Sequence, residues 1–154
     1  MAKEIKQTVN IPYSYSYGHF VSRFFLEMKH NKKLWGTKCP ECKGVMLPPQ
    51  AFCGRCFVDA GEWVEVKDTG KLKGFGVVHI PFLGQIMEPP YVYAELTLDG
   101  SNTTMIHILG EVNIDRVFEE VRVGMPVQAV WKEDGRQGNL QDILYFKPLH
   151  QEQE

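Results

Sequence analysis

The chain has 154 residues, 44% of them hydrophobic and 23% charged, and a formal net charge of −2. That is the make-up of a globular protein with one domain or two small ones. No run approaches the ~20 consecutive apolar residues of a membrane span, and Met1-Ala-Lys-Glu-Ile-Lys has no apolar signal core. The expectation is a cytoplasmic protein without membrane association. The charge is unevenly divided. Residues 1–60 carry nine Lys/Arg against four Asp/Glu, net +5, and residues 61–154 carry eight against fifteen, net −7.

Residues 8–17, Thr-Val-Asn-Ile-Pro-Tyr-Ser-Tyr-Ser-Tyr, alternate in polarity around Pro12 and predict an extended arm. Tyr13, Tyr15 and Tyr17 then fall on one side of it. Such an arm either packs on its own domain or embraces a partner, since tyrosine is enriched at interfaces. From Gly18 to Asn31, Phe20, Phe24 and Met28 recur at helical spacing, as do Val21 and Phe25, which predicts an amphipathic helix. Ser16 is its candidate N-cap, and Lys29, Lys32 and Lys33 suit its C-terminal end. The aromatic stripe either folds back on the barrel or docks on another protein; docking is the expectation for Phe20, Phe24 and Phe25. Leu34-Trp35-Gly36 ends the helix and turns towards the cysteines.

All four cysteines of the chain follow in two C-x-x-C pairs, Cys39-Pro-Glu-Cys42 and Cys53-Gly-Arg-Cys56. Each turn points two sulfurs at one place, and two turns facing each other supply a closed tetrahedral S₄ cage with no position for water or substrate. Structural Zn²⁺ is the expected occupant, with iron as the rival that the same donor set admits. Reduced cytosolic thiols argue against disulfides, and no βαβ pattern supports a redox pair.

From Glu62 the pattern changes to short strands: Glu62–Val66, Lys71–Ile80, Tyr91–Leu98, Thr103–Leu109, Pro126–Trp131 and Leu140–Phe146. Asp99-Gly100 marks a hairpin turn, Gly70, Gly74 and Gly76 permit bulges, and Asp115–Val121 has helical spacing. About five strands with one short helix before the last two fit an OB-fold barrel. The fold class predicted is mainly β: an N-terminal arm and helix (1–35), a zinc ribbon (36–60), an OB-fold barrel (61–149) and a tail (150–154).

This order of parts resembles the acyl-CoA-associated zinc-ribbon/OB-fold proteins, a family long classed as a domain of unknown function. The stretches that carry the resemblance are Leu34-Trp-Gly-Thr-Lys-Cys-Pro-Glu-Cys42, Leu47-Pro-Pro49, Cys53-Gly-Arg-Cys56, Gly70–Gly76 and Val123-Gly-Met-Pro-Val127. The resemblance implies a rubredoxin-like zinc ribbon in a small non-catalytic subunit that accompanies a thiolase-fold enzyme, stabilises it and in some members helps to enclose a CoA thioester. The chain departs from the family at Gln50, where an arginine commonly follows the two prolines; Arg55 is the residue that could substitute. Lys32, Lys33 and Arg55 are the candidates for CoA phosphate, although a lysine is more often simply a solvated charge.

Two other functions are weighed against this one. Both ribbons and OB barrels bind single-stranded nucleic acid, but a barrel segment at −7 repels phosphate. An independent enzyme lacks a constellation: His79 and His107 read as strand histidines, zinc takes every cysteine, and the glycines match neither phosphate-binding spacing.

Overall fold

The computed structural model describes residues 4, 5 and 7–149; the expected tail at 150–154 lies outside them. Helix α1, Gly18–Asn31, spans the residues whose spacing predicts it. Its start differs from expectation by one residue. Tyr17 is the N-cap and makes no side-chain capping bond, while Ser16 Oγ accepts from the Gly18 N–H at 3.1 Å. At the other end Lys32 turns left-handed, φ 52°, and the N–H groups of Lys32 and Lys33 close back on the carbonyls of Met28 and Glu27. That closure satisfies carbonyls which the last turn would otherwise leave open.

Strand β1, Leu34–Lys38, follows directly, where the sequence predicts only a turn. It is the middle strand of a three-stranded antiparallel sheet, between β2, Val45–Met46, and β3, Glu62–Val66. Glu62–Val66 alternates as expected, yet it is not a barrel strand: Leu34 lies opposite Val66 and Lys38 opposite Glu62. Alternation identifies a strand, but the partner it pairs with is set by non-local packing.

Five further strands close a barrel: β4, Thr69–Val78; β5, Tyr91–Leu98; β6, Met105–Leu109; β7, Pro126–Trp131; and β8, Ile143–Pro148. Their order is β4-β5-β6-β8-β7, with β7 returning to β4. β6 and β8 run parallel and the other pairs antiparallel. A short helix α2, Val117–Glu120, bridges β6 and β7. This is the five-stranded OB-fold. A bulge falls between Leu72 and Gly74 of β4, as its glycines suggest. A Cβ on Gly70 would lie 2.4 Å from the carbonyl oxygen of Thr97, so the turn of β4 around the barrel requires glycine there. The last strand starts later than expected because Leu140–Asp142 form a 3₁₀ turn.

One core joins helix, ribbon and barrel. Phe24 and Met28 of α1, with 1% and 0% exposure, and Leu34 of β1 cluster with Leu72, Leu96, Val127 and Phe146 of the barrel. Burying side chains of that size contributes roughly 1.5–3 kcal/mol each. The ribbon is also held by polar bonds from the loop after β5. Asn102 Oδ1 accepts from the Val45 N–H at 2.8 Å, and Asn102 N–H donates to the Val45 carbonyl at 2.8 Å. Thr103 Oγ1 accepts from Leu47 N–H at 2.7 Å and donates to the Leu47 carbonyl at 2.8 Å. Asn102 and Thr103 thus continue the edge of the ribbon like a short extra strand.

Candidate functional site

The two cysteine turns are near copies of each other. In the first, the N–H of Cys39 donates to the Gly44 carbonyl at 2.9 Å and the N–H of Lys43 to the Cys39 carbonyl at 3.1 Å. In the second, Cys53 N–H donates to Val58 and Phe57 N–H to Cys53, each at 2.9 Å. Lys43 and Phe57, each the fifth residue of its turn, are left-handed at φ 60° and 57°. The repeated geometry brings the four Sγ atoms within 4.8 Å of one another, with Cys42 and Cys53 at 4.0 Å. A tetrahedron of thiolates around Zn²⁺ at ~2.3 Å has S–S edges of about 3.8 Å, so the cage fits the ion.

The electrostatics call for a cation. Backbone N–H groups of Cys56 and Arg55 pull the Cys53 thiol down to about 7, whereas the Cys42 sulfur, burial and Cys39 push Cys56 up to about 12. Four sulfurs so close cannot all ionise without positive charge between them. Cys39 and Cys53 are buried, and Met46 and Ala60 complete a small apolar shell. With four protein ligands the site is closed, so the metal holds structure and offers no open position for a reaction.

The aromatic residues expected to face a partner divide into three groups. Tyr13, Tyr15 and Tyr17 are 80%, 69% and 54% exposed. Their rings contact in series, with centroids 5.9 and 5.5 Å apart, and Tyr17 stands edge-on to Phe25 at 5.4 Å. Phe20 is half-buried and stacks on Trp63 of β3, whose other neighbour is the Arg23 guanidinium, 4.3 Å from the ring centroid. Phe24 lies in the core, which removes it from any partner-facing set. The sequence reading errs there because the helical stripe is wide enough to serve two purposes, and its inner third covers the chain's own barrel.

The expected phosphate contacts are differently placed. Lys32 pairs with Glu133 at 2.6 Å and Lys33 with Glu65 at 2.7 Å, and Lys32 in turn holds the Glu133 carboxyl below its usual range. Both lysines border a polar depression of about 380 Å³ with Asn31 and Lys67; Arg55 is not among its walls. Arg55 is exposed in the second cysteine turn and has no ion-pair partner among the described residues. Of the two histidines expected in strands, His79 lies just beyond the end of β4 and is exposed. His107 is packed edge-on against Phe146 at 5.5 Å, with its Nε2 3.0 Å from the Leu140 carbonyl.

The structure also holds a feature that strand patterning does not reveal. A groove of about 830 Å³ runs between the loop 79–90, the strands β5 and β6, and the Leu140–Asp142 turn, with Phe25 of α1 at one wall. Two buried or half-buried charges shape its far bank. Asp142, 0% exposed, accepts from the N–H groups of Gln137 and Gly138 at 2.8 Å each. Arg136 donates to the carbonyls of Lys132 and Glu133 and, across to α1, of Lys29. The signal that marks the groove in the sequence is the loop itself: Ile80, Phe82, Leu83, Ile86 and Met87 make it unusually apolar for a connection, and all five are exposed.

Comparison with known proteins gives two family matches: "ChsH2, rubredoxin-like zinc ribbon domain" over residues 32–61 and "ChsH2, C-terminal OB-fold domain" over residues 63–132. Among solved structures, the Ltp2-ChsH2(DUF35) aldolase is similar, with 26% identity, 87% of this chain and 98% of that chain covered, and a TM-score of 0.60. A DUF35-family protein of unknown function from Sulfolobus solfataricus shares the fold, with 19% identity, 87% of each chain covered and a TM-score of 0.59. None of the curated proteins matches the sequence. The cysteine geometry and the matched ribbon agree on structural zinc as the metal of this site.

Proposed function

The chain belongs to the ChsH2 (DUF35) family of zinc-ribbon/OB-fold proteins, and we propose that it is a non-catalytic scaffold subunit of a thiolase-type complex acting on acyl-CoA thioesters. The observation that carries the scaffold role is the ladder of Tyr13, Tyr15 and Tyr17, exposed rings in mutual contact that end on Phe25. An ordered series of aromatic rings left open to water is the composition of an interface core. The similar Ltp2-ChsH2(DUF35) aldolase, which combines a ChsH2 part with Ltp2, supports a hetero-oligomeric partner. The thiolase fold of that partner, and CoA at the shared interface, follow from the family resemblance.

In this mechanism zinc fixes β1, β2 and the two cysteine turns as a rigid wedge, and the arm holds the partner. The ion pairs of Lys32 and Lys33 leave Arg55 as the freest of the three cations proposed for CoA phosphate. The four thiols of this chain lie together in the metal cage, and the reading places the chemistry in the partner. Nucleic acid fits poorly, because Lys132 is the one lysine or arginine among the residues lining the groove. Mixing the zinc-loaded chain with the thiolase-type enzyme of its own host tests the proposal. The wild type should co-elute with it in size-exclusion chromatography and a Y13S/Y15S/Y17S variant should not. Co-elution that is indifferent to the three substitutions would take the arm out of the account.

A further inference from the structure

We infer that Arg23, stacked on the indoles of Trp63 and Trp35, is the point at which this chain grips a side-chain carboxylate of its protein partner. The inference rests on the scaffold reading above and names the chemistry that one part of its interface recognises.

Strand register builds the platform. Trp35 and Thr37 are two apart on β1 and Thr37 lies opposite Trp63 of β3, so the two indoles rise from one face of the ribbon sheet. Phe20 and Arg23, at i and i+3, share a side of α1 and meet that face. Phe20 stacks on Trp63 with centroids 5.7 Å apart, and the Arg23 guanidinium carbon lies 4.3 Å from the Trp63 centroid and 5.7 Å from that of Trp35. All four side chains are half-buried. Tryptophan and arginine in a partly desolvated cluster are the residues that dominate binding at protein interfaces. The cluster also adjoins the arm along the chain, since α1 begins directly after Tyr17, the last of the exposed tyrosines.

Arg23 lacks an acceptor. Its side chain makes no ion pair with any described residue. Every carboxylate on α1 and β3 is engaged elsewhere, and β1 carries none: Glu27 accepts from Asn31, Glu62 pairs with Lys38, and Glu65 with Lys33. An arginine that served only to staple helix to sheet would gain most by pairing with one of these; this one keeps an open planar fork. The fork is not sealed from water either, because the buried side-chain donors and acceptors without a partner among the described residues are Trp35 Nε1 and His107 Nδ1. Trp35 thus brings a second unmet donor to the same platform. A carboxylate answers this arrangement: its two oxygens match the guanidinium fork, which the stacked indoles pre-orient. A phosphate dianion would call for a further free cation. Lys33 and Lys38, at either end of β1, are already neutralised by Glu65 and Glu62.

The full-length, zinc-loaded chain, labelled with ¹⁵N, is titrated with hexaglutamate while the indole N–H signals of Trp35 and Trp63 are followed by NMR. Both signals should shift saturably. Arg23→Met, which keeps an apolar stem on the indoles, should weaken the binding about tenfold, and Arg23→Lys should recover little of it, because an ammonium keeps the charge without the fork. Zinc content and circular dichroism should hold in both variants. In the complex with the thiolase-type enzyme of the host, the same two variants should dissociate about tenfold faster than the wild type. Indole signals that ignore the peptide, or Arg23→Lys binding it as well as the wild type, would overturn the inference, the latter by reducing the effect to net charge. A thiolase-type complex equally stable in wild type and variants also overturns it and leaves the scaffold reading in place. Fork-dependent carboxylate binding in a chain that forms no complex with that enzyme keeps the Arg23 site and removes the scaffold reading.

Discussion

Arg136 donates from Nε to the carbonyl oxygen of Lys29 at 2.7 Å, across 107 residues of sequence. The loop that carries Arg136 therefore caps the C-terminal end of α1, where carbonyls lack helical partners and positive charge is favoured. Its Nη1 also bonds Lys132 and Glu133, which orders the same loop. One side chain thus fixes the helix, the last barrel connection and one bank of the apolar groove.

Arg136→Ala should accordingly cost about 1.5–3 kcal/mol, the range for hydrogen bonds from a charged group. Urea unfolding followed by circular dichroism measures it. Arg136→Lys should recover less than half, because a single ammonium lacks the planar fork that reaches three carbonyls. A loss below about 0.5 kcal/mol, the level of an ordinary surface change, would show that the helix is held by Phe24 and Met28 alone.

Zinc removal should act locally. The ribbon's own buried cluster is only Cys39, Met46, Cys53 and Ala60, too little to fold without the ~10–16 kcal/mol that a structural zinc supplies in finger peptides. Chelation, or Cys39→Ser, should raise hydrogen exchange over residues 36–60 while the barrel strands β4–β8 stay protected. Uniform exchange over the whole chain would mean that ribbon and barrel unfold as one unit.

Thr103→Val removes the hydroxyl that both accepts from and donates to Leu47. With two backbone groups of a buried residue left unsatisfied, the expected loss is about 1–3 kcal/mol, and it should appear first as faster exchange at Leu47. Asn102→Ala should act in the same direction through Val45. If exchange at Val45 and Leu47 is unchanged in both variants, the ribbon docks through apolar contacts alone.

His107 gives the chain a specific acid sensitivity. Burial lowers its pKa below the ordinary 6.5, so the unfolded state binds a proton more readily than the folded one. Its contribution to stability is present above about pH 6.5 and is lost as the pH falls from there through the depressed folded value. The melting temperature should therefore decline below pH 6.5 in the wild type, and His107→Phe should flatten that part of the profile. An identical slope in the variant would assign the decline to other groups.

What the sequence discloses here is what depends on local spacing. The cysteine turns need only i and i+3 and the helix only a 3.6-residue period, so both are legible apart from the N-cap, which falls on Tyr17 and not on Ser16. β3 was readable as a strand but not as the partner of β1, since the register Leu34–Val66 is a property of the assembled sheet. The ion pairs of Lys32 and Lys33 close over 101 and 32 residues, beyond any pattern, so both looked free. Phe24 and Phe20 share one apolar stripe, and only the docked helix separates the core residue from the one on Trp63. The groove is built from distant segments that only the folded chain brings together.

We propose that this chain holds a thiolase-type enzyme without performing its chemistry. Affinity purification from the native host, with mass spectrometry of the co-eluting proteins and a subunit ratio from native mass, tests it most directly. The expected result is a thiolase-fold partner in stoichiometric yield, with the reactive cysteine nucleophile located by thioester trapping on that partner. Recovery of nucleic acid, of the chain alone, or of a complex whose trapped thioester lies on this chain would contradict it.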